Sequence, residues 1–87
     1  MVFLVVEPHS AAEALAVAKK LGCAIWLGSD ALTEEEFDRW GAEGVDITRF
    51  VYPLGGAEHS VLENAVSRVA QQHPSDVIWV QRASTAA

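Results

Sequence analysis

Cysteine is nearly absent from this chain of 87 residues, which has a single one at position 23. A lone thiol excludes an internal disulfide framework, so packed apolar side chains must stabilise the fold. Cys23 begins a short apolar run, and free cysteine is among the most often buried residue types. We therefore predict that Cys23 is a small core residue rather than a reactive group.

Basic residues are also scarce. Six lysines and arginines face twelve aspartates and glutamates, which gives a net charge of −6 with neutral histidines. Proteins that bind nucleic acid concentrate lysine and arginine on one face. Here the only adjacent bases, Lys19 and Lys20, fall where a predicted helix ends, a position that the helix dipole favours for cations. The composition therefore argues against direct binding of DNA or RNA.

The chain has neither a basic leader nor a long hydrophobic run. After Met1 its first residues, MVFLVVEP, offer only five consecutive apolar side chains, too few for a signal peptide or a membrane span. We therefore expect a protein that does not bind membranes and that resides in the cytoplasm.

Motifs that hold phosphates, cofactors or metal ions are missing. Neither G-x-G-x-x-G nor G-x-x-x-x-G-K-[ST] occurs, and the predicted helix starts carry glutamates that would repel a phosphate. Four residues have side chains suited to a divalent ion, but none has the spacing of a metal motif; they are Glu7, His9, Asp30 and His59. The sequence therefore predicts no cofactor and no metal.

Four short apolar runs alternate with three helix-patterned segments. The runs span residues 2–6, 23–27, 45–52 and 77–80, and the helical segments span about residues 10–21, 33–43 and 60–72. Such alternation is typical of a parallel sheet with crossover helices. We predict a single small α/β domain over residues 1–82, with a four-stranded, mainly parallel sheet and three helices. A flexible C-terminal tail is expected over residues 83–87.

Each predicted helix begins with the pattern of a capping box, a hydroxyl residue followed three positions later by glutamate. The three pairs are Ser10 and Glu13, Thr33 and Glu36, and Ser60 and Glu63. In such a box, the hydroxyl and the carboxylate satisfy backbone N–H groups that the first turn leaves without partners. Gly22, Gly44 and the His73-Pro74 pair predict where the helices end.

The third apolar run differs from the others because Asp46, Thr48 and Arg49 interrupt it, which suits an edge strand. With this strand at an edge, the order 3-2-1-4 is preferred over the alternative 2-1-3-4. Right-handed crossovers then put two helices on one face and the third helix alone on the other. One helix covers four strands poorly, so we expect bare apolar area there and self-association into a homodimer. The competing outcome is a monomer in which residues 54–59 or the tail cover this area.

Polar side chains follow the carboxyl ends of the predicted strands, where parallel sheets carry their sites. They form a candidate strand-end pocket that consists of Glu7, His9, Ser10, Asp30, His59 and Arg82. The order 3-2-1-4 places its switch point between the first and fourth strands, which brings Glu7, His9 and Arg82 together. These residue types suit acid–base chemistry, but no motif gives them a mechanism, and a Glu7–Arg82 pair is equally explained as a surface ion pair.

The three tryptophans fall in two kinds of setting. Trp26 and Trp79 lie in continuous apolar runs, and we predict that both belong to the core. Trp40 lies on the acidic second helix, and an aromatic anchor within a charged rim is typical of protein interfaces. The candidate interface consists of Glu35, Asp38, Arg39 and Trp40. The alternative places Trp40 beside Phe37, packed against the sheet.

The sequence favours a small acidic protein without catalytic activity that binds another protein, as an inhibitor, an antitoxin-like protein or an adaptor does. Its net charge suits a partner with a basic surface, because complementary charge speeds association. The alternative from another class is a ligand-binding domain or an enzyme that uses the candidate strand-end pocket. Convergence of the pocket residues into one concave site would favour that alternative.

Overall fold

The computed structural model describes residues 1–81, in which four strands alternate with three α-helices. These are β1 Val2–Val5, α1 Ala11–Leu21, β2 Ala24–Leu27, α2 Glu34–Ala42, β3 Ile47–Arg49, α3 His59–Gln72 and β4 Ile78–Gln81, and a 3-10 turn at Pro8–Ser10 precedes α1. All three strand pairs are parallel, and the order is β3-β2-β1-β4. The predicted α/β fold with its preferred strand order is therefore confirmed. Arg82 and the predicted tail over residues 83–87 lie outside the described residues.

Two apolar clusters, one on each face of the sheet, form the core. Successive residues of a strand point to opposite faces, so the two inner strands β1 and β2 contribute to both clusters. The cluster under α3 consists of Val2, Leu4, Val6, Trp26, Phe50, Leu54, Ala65 and Val69. The cluster under α1 and α2 consists of Val5, Ala11, Leu15, Ala18, Ile25, Leu27, Leu32 and Val45. The predicted division of the helices, two on one face and one on the other, matches this arrangement.

Of the three predicted capping boxes, all within residues 1–81, only the one at Thr33 forms. The Thr33 hydroxyl accepts the Glu36 backbone N–H at 3.1 Å, and the Glu36 carboxylate accepts the Thr33 N–H at 3.1 Å. Ser10 makes no capping bond, because it is the last residue of the 3-10 turn and its backbone (φ −93°, ψ −3°) is not extended as a cap requires. Ser60 is also wrong as a cap: α3 begins one residue earlier, after Glu58, so Ser60 lies within its first turn.

The lone helix α3 covers its face of the sheet better than the sequence predicts. The reason is that the β3–α3 loop folds inward, so that Leu54 is fully buried in the same cluster as Ala65 and Val69 of α3. The prediction that bare apolar area lies on this face is therefore wrong. The competing prediction was that residues 54–59 cover this face. For Leu54, which is buried there, that prediction is correct.

Exposed apolar area lies instead on the face that carries α1 and α2, beside β4. Trp79 is 58% exposed there, so its predicted place in the core is wrong, whereas Trp26 is buried as predicted. The physical reason is the sheet order: β4 is an edge strand, α1 packs on β1 and β2, and α2 packs on β3. Trp40 follows its alternative and packs with Phe37 against the α1–α2 cluster.

Two smaller predictions have mixed outcomes. Cys23 lies just before β2 and is half-buried, so it belongs to the core only in part. Gly22 ends α1 as predicted, with φ at 71° in the left-handed region that glycine adopts without strain. None of the helices in residues 1–81 has both the length and the apolar composition that crossing a membrane requires.

Candidate functional site

Asp30 holds together two loops at the carboxyl ends of the strands. One of its carboxylate oxygens accepts the backbone N–H of Leu54 at 3.2 Å, and the other accepts the N–H of Gly55 at 3.1 Å. The loop after β2 is thereby tied to the loop after β3. Asp30 therefore links the two loops through two backbone donors, while the residue itself remains exposed.

The strand-end loops pack directly against one another around two glycines. A Cβ atom built on Gly28 would lie 2.7 Å from the Leu54 nitrogen and 2.7 Å from an Asp30 oxygen. One built on Gly55 would lie 2.5 Å from the other Asp30 oxygen and 2.9 Å from Pro8 Cδ. The loops after β1, β2 and β3 therefore meet here in van der Waals contact, at the point where the sequence predicted a pocket.

The other predicted pocket residues make separate local contacts. The Glu7 carboxylate lies 3.5 Å from Nδ1 of His9, whose side chain is 76% exposed. His59 lies on α3, where its Nε2 is 2.8 Å from Glu63, one turn further along the same helix. The Ser10 backbone N–H donates to the Glu7 carbonyl oxygen at 3.1 Å within the 3-10 turn. Arg82 is outside the described residues, so its predicted pairing with Glu7 remains a prediction.

Among the described pocket candidates, the only side-chain contact is therefore the one between Glu7 and His9. Within residues 1–81, no three histidine, cysteine, aspartate or glutamate side chains gather closely enough to hold a metal ion. The Glu7 backbone N–H donates to the Gln81 side-chain oxygen at 3.0 Å, which ties β1 to β4 at the switch point. The contacts of these residues hold the loops together, and, apart from the pair of Glu7 and His9, they do not bring the described pocket residues to one shared site.

A broad groove that the sequence did not predict lies between the β3–α3 loop and the outer face of α3. Its volume is about 810 Å³, and its lining includes Tyr52, Glu58, Asn64, Ser67 and Arg68. Tyr52 and Arg68 also line a neighbouring cavity of about 250 Å³. The Trp26, Phe50 and Tyr52 rings form a row with centroids 5.3 and 5.2 Å apart, which leads from the core to this groove. Only weak indications of this groove are present in the sequence, namely Tyr52 after the third strand and Arg68 on the third helix.

The acidic face of α2 is exposed, but its tryptophan is not free. Glu35, Asp38 and Arg39 are exposed, whereas Trp40 is half-buried against the core. Hydrogen bonds from the Thr33 backbone N–H and hydroxyl hold the pKa of the Glu36 carboxyl below its ordinary value. This helix therefore presents charge to solvent, while its aromatic side chains stabilise the fold.

A strip of exposed apolar side chains lies beside β4, on the face that carries α1. Phe3, Ala14, Val17 and Trp79 are among the residues that line a groove of about 240 Å³ there. Val17 is 42% exposed, and Trp79 is 58% exposed. These side chains face one another because α1 lies over β1 and leaves β4 uncovered.

The strip continues towards the amino end of β4. Phe3 and Trp79 are register partners, so Met1 and Val77, two residues before them, lie on the same face of the sheet. Leu21 lies one turn after Val17 on the same side of α1. We define the β4 strip as Met1, Phe3, Val17, Leu21, Val77 and Trp79. It contains five of the six large apolar side chains that are exposed within residues 1–81; the sixth is Val51.

No protein-family model, curated protein or solved structure matches this chain. Its function must therefore be inferred from its own surfaces. The strand-end loops are joined through Asp30, and the groove beside Tyr52 and Arg68 is open. The α2 face is charged, and the β4 strip is apolar and exposed. Of these surfaces, the β4 strip departs furthest from the ordinary surface of a soluble domain.

Proposed function

We propose that this chain is a small, acidic, non-catalytic protein-interaction module and that it binds its partner through the β4 strip. The observation that carries this proposal is the 58% exposure of Trp79 within an apolar strip. Monomeric soluble proteins rarely expose large contiguous apolar patches, and such patches often mark binding sites. Tryptophan is also among the residues most enriched at the centres of protein interfaces.

The edge of β4 supports the same proposal, because its described residues carry neither of two features that commonly protect sheet edges, charge and proline. Natural edge strands carry charges, prolines or bulges, or they are very short, and these features prevent pairing with other chains. The β4 sequence, Ile-Trp-Val-Gln, has neither charge nor proline. The opposite edge, β3, has only three residues and includes Arg49. An incoming strand or apolar surface is therefore better received at β4 than at β3.

The acidic α2 face has a second part in this proposal. Glu35, Asp38 and Arg39 are exposed and Trp40 is packed, so the face suits electrostatic steering of a basic partner more than it suits anchoring. The expected roles are those of an inhibitor, an antitoxin-like protein or an adaptor in the cytoplasm. Reversing two charges, Glu35→Lys with Asp38→Lys, should slow association with a basic partner and lower its salt dependence. Unchanged rates would remove this face from the proposal.

Crosslinking in the native host tests the β4 strip directly. A photoreactive amino acid replaces Trp79 in one variant and Val51 in a matched control, because Val51 is 94% exposed but lies outside the strip. We expect covalent adducts from position 79 and none of the same mass from position 51. The mass of the adduct reports whether the partner is this chain or another protein. Absence of an adduct at position 79, or identical adducts from both positions, would contradict the proposal.

Binding of a small molecule is the second candidate function, and the groove beside Tyr52 favours it. Its volume of about 810 Å³ falls within the range of small-molecule sites. Arg68 makes no hydrogen bond or ion pair with another described residue, so its guanidinium is available to an anionic ligand. A thermal-shift screen of carboxylate and phosphate compounds tests this function. Stabilisation that persists in the variant Arg68→Gln would exclude the predicted contact.

A further inference from the structure

We infer that the partner of the β4 strip is a second copy of this chain, joined by antiparallel pairing of two β4 strands about a two-fold axis at Trp79. This inference rests on the proposed function, since it names the occupant of the same strip. The backbone of the edge strand, the position of the exposed side chains and the distribution of charge each support a second copy.

The backbone groups on the outer side of β4 have the spacing that such pairing requires. On the inner side, the Val77 and Gln81 carbonyl oxygens accept N–H groups of β1 and the residue after it at 2.9 and 3.0 Å. Alternate residues of a strand direct their N–H and C=O groups to the same side, so residues 77, 79 and 81 face β1. Ile78 and Val80 therefore direct their N–H and C=O groups away from the sheet, where residues 1–81 offer no further strand.

In one register, the outward backbone groups of Ile78 and Val80 in one copy pair with those of the same two residues in a second copy. When two β4 strands lie antiparallel with Trp79 opposite Trp79, Ile78 of each copy lies opposite Val80 of the other. Each of these two pairs then exchanges both N–H···O bonds, and the Trp79 pair occupies the position between them, where side chains come closest. The contact uses the same surface on both copies and closes on itself, as a two-fold dimer requires.

The part of the strip around Trp79 matches this geometry. The two-fold axis is perpendicular to the continuous sheet that the two copies form. The α1 helices of both copies therefore lie on the same face of that sheet. The two Trp79 side chains therefore meet between the two α1 helices, over the area that each copy leaves bare. There each tryptophan reaches a groove lined by Phe3 and Val17, and a contact between aromatic rings adds to the buried apolar area.

At the β4 strip itself, which is separate from the acidic face of α2, the distribution of charge favours a second copy over a basic partner. Two molecules of net charge −6 repel each other, so a stable self-contact must keep their acids apart. The side chains of the β4 strip are uncharged, and the acids of α2 lie at the β3 end of the sheet, away from β4. Asp76, just before β4, is paired with the Met1 amino group and with His73, each at 3.4 Å. A basic partner would find no complementary charge within the strip.

Sedimentation equilibrium at micromolar concentrations tests the dimer. We expect the wild type to have twice the monomer mass of 9.4 kDa. The variants Trp79→Lys and Val17→Lys should sediment as monomers, and the control Val51→Lys should behave as the wild type. Because the two-fold axis doubles the loss of each anchor, we expect Trp79→Lys to raise the dissociation constant about 1000-fold.

Each outcome of the experiment decides a different point. A wild-type mass of 9.4 kDa at the highest concentration would overturn the dimer. In that case, an adduct with another protein at position 79 would leave the proposed function intact, whereas absence of any adduct would remove both. A dimer that persists in both lysine variants would overturn the β4 contact. Val17→Lys keeps the test valid if Trp79→Lys fails to fold, because lysine is a better helix former than valine.

Discussion

At the scale of single residues, Asp30 explains why the strand-end site differs from its prediction. The sequence shows that Asp30 follows a strand, and this position also suits a ligand or a catalytic carboxylate. It does not show that the Leu54 and Gly55 N–H groups would arrive beside that carboxylate, because they come from a loop more than twenty residues away. Backbone donors from a distant loop carry no side-chain signature, so no pattern in the sequence reports them.

The first prediction concerns two glycines with different surroundings, one in a packed loop and one within a helix. Gly28→Ala should lower the free energy of unfolding by about 1–3 kcal/mol, because the new Cβ would lie 2.7 Å from the Leu54 backbone nitrogen. Gly41→Ala, within α2, should raise it by about 0.5–1 kcal/mol, because alanine favours the helix. Its Cβ would meet only Ile47 Cγ2, at 4.0 Å.

Urea denaturation of both variants and the wild type measures these changes. Opposite shifts of the two midpoints are expected, with unchanged slopes. The prediction would be wrong if Gly41→Ala destabilised the protein as much as Gly28→Ala does. In that case the close packing of Gly28 against Leu54 would not be the cause.

Trp26 and Trp79 show how far a residue can be predicted from its neighbours. Trp26 lies between isoleucine and leucine, and Trp79 lies between isoleucine and valine, so their local sequences are nearly the same. Their burial differs because β2 lies inside the sheet and β4 lies at its edge. The preferred order 3-2-1-4 already placed the fourth strand at an edge, and consistent use of that order would have predicted an exposed face at Trp79.

At the scale of secondary-structure elements, the caps show what a short pattern leaves undecided. The pattern of a hydroxyl followed by glutamate occurs at Ser10, Thr33 and Ser60, but a cap forms only where the backbone before the helix is extended. Thr33 has that conformation, with ψ at 163°. At α3 the extended residue is Glu58, with ψ at 155°, so Ser60 lies within the helix. Backbone conformation before a helix depends on the preceding loop, which the pattern does not describe.

The second prediction separates these two hydroxyls. Thr33→Ala should lower the free energy of unfolding by about 0.5–2 kcal/mol at neutral pH, because it removes a formed cap. Ser60→Ala should change it by less than about 0.5 kcal/mol, because Ser60 is exposed and caps nothing. The expectation from sequence, a capping loss at Ser60, is thereby reversed. Thermal melts of both variants decide it, and a loss at Ser60 as large as that at Thr33 would contradict the structure.

The effect of Thr33→Ala should also depend on pH. Hydrogen bonds from the Thr33 backbone N–H and hydroxyl lower the pKa of the Glu36 carboxyl in the folded state. A lowered folded pKa means that the ionised carboxylate stabilises the protein above the ordinary glutamate pKa, and that this contribution is lost as the pH falls through the lowered value. The alanine variant lacks the hydroxyl part of this effect. Its deficit relative to the wild type should therefore shrink in acid.

At the scale of the whole molecule, the fold was the most predictable property. Alternation of strand and helix patterns and the right-handed crossover rule together leave few arrangements, and the polar residues Asp46, Thr48 and Arg49 indicated which strand lies at an edge. The bare face was predicted on the wrong side, because the count of helices ignored Leu54 and the loop that carries it. Coverage of a sheet depends on loops as well as helices, and the burial of a loop residue has no periodic signal.

The last prediction follows from the proposed self-association of the whole molecule. When folding is coupled to dimerisation, the stability of the native state depends on protein concentration. For a chain of this size, a tenfold rise in concentration should raise the melting temperature of the wild type by about 3–6 °C. Val51→Lys should show the same rise, because Val51 lies outside the β4 strip. Trp79→Lys should melt at one temperature at every concentration.

Dilution supplies the control within the same experiment. Trp79 is 58% exposed in the single chain, so replacing it costs the monomer little, and the wild type and Trp79→Lys should converge in melting temperature as the concentration falls. A constant difference between them at all concentrations would mean that Trp79 stabilises the monomer itself. A wild-type melting temperature that does not change with concentration would mean that the strip is not covered by a second copy.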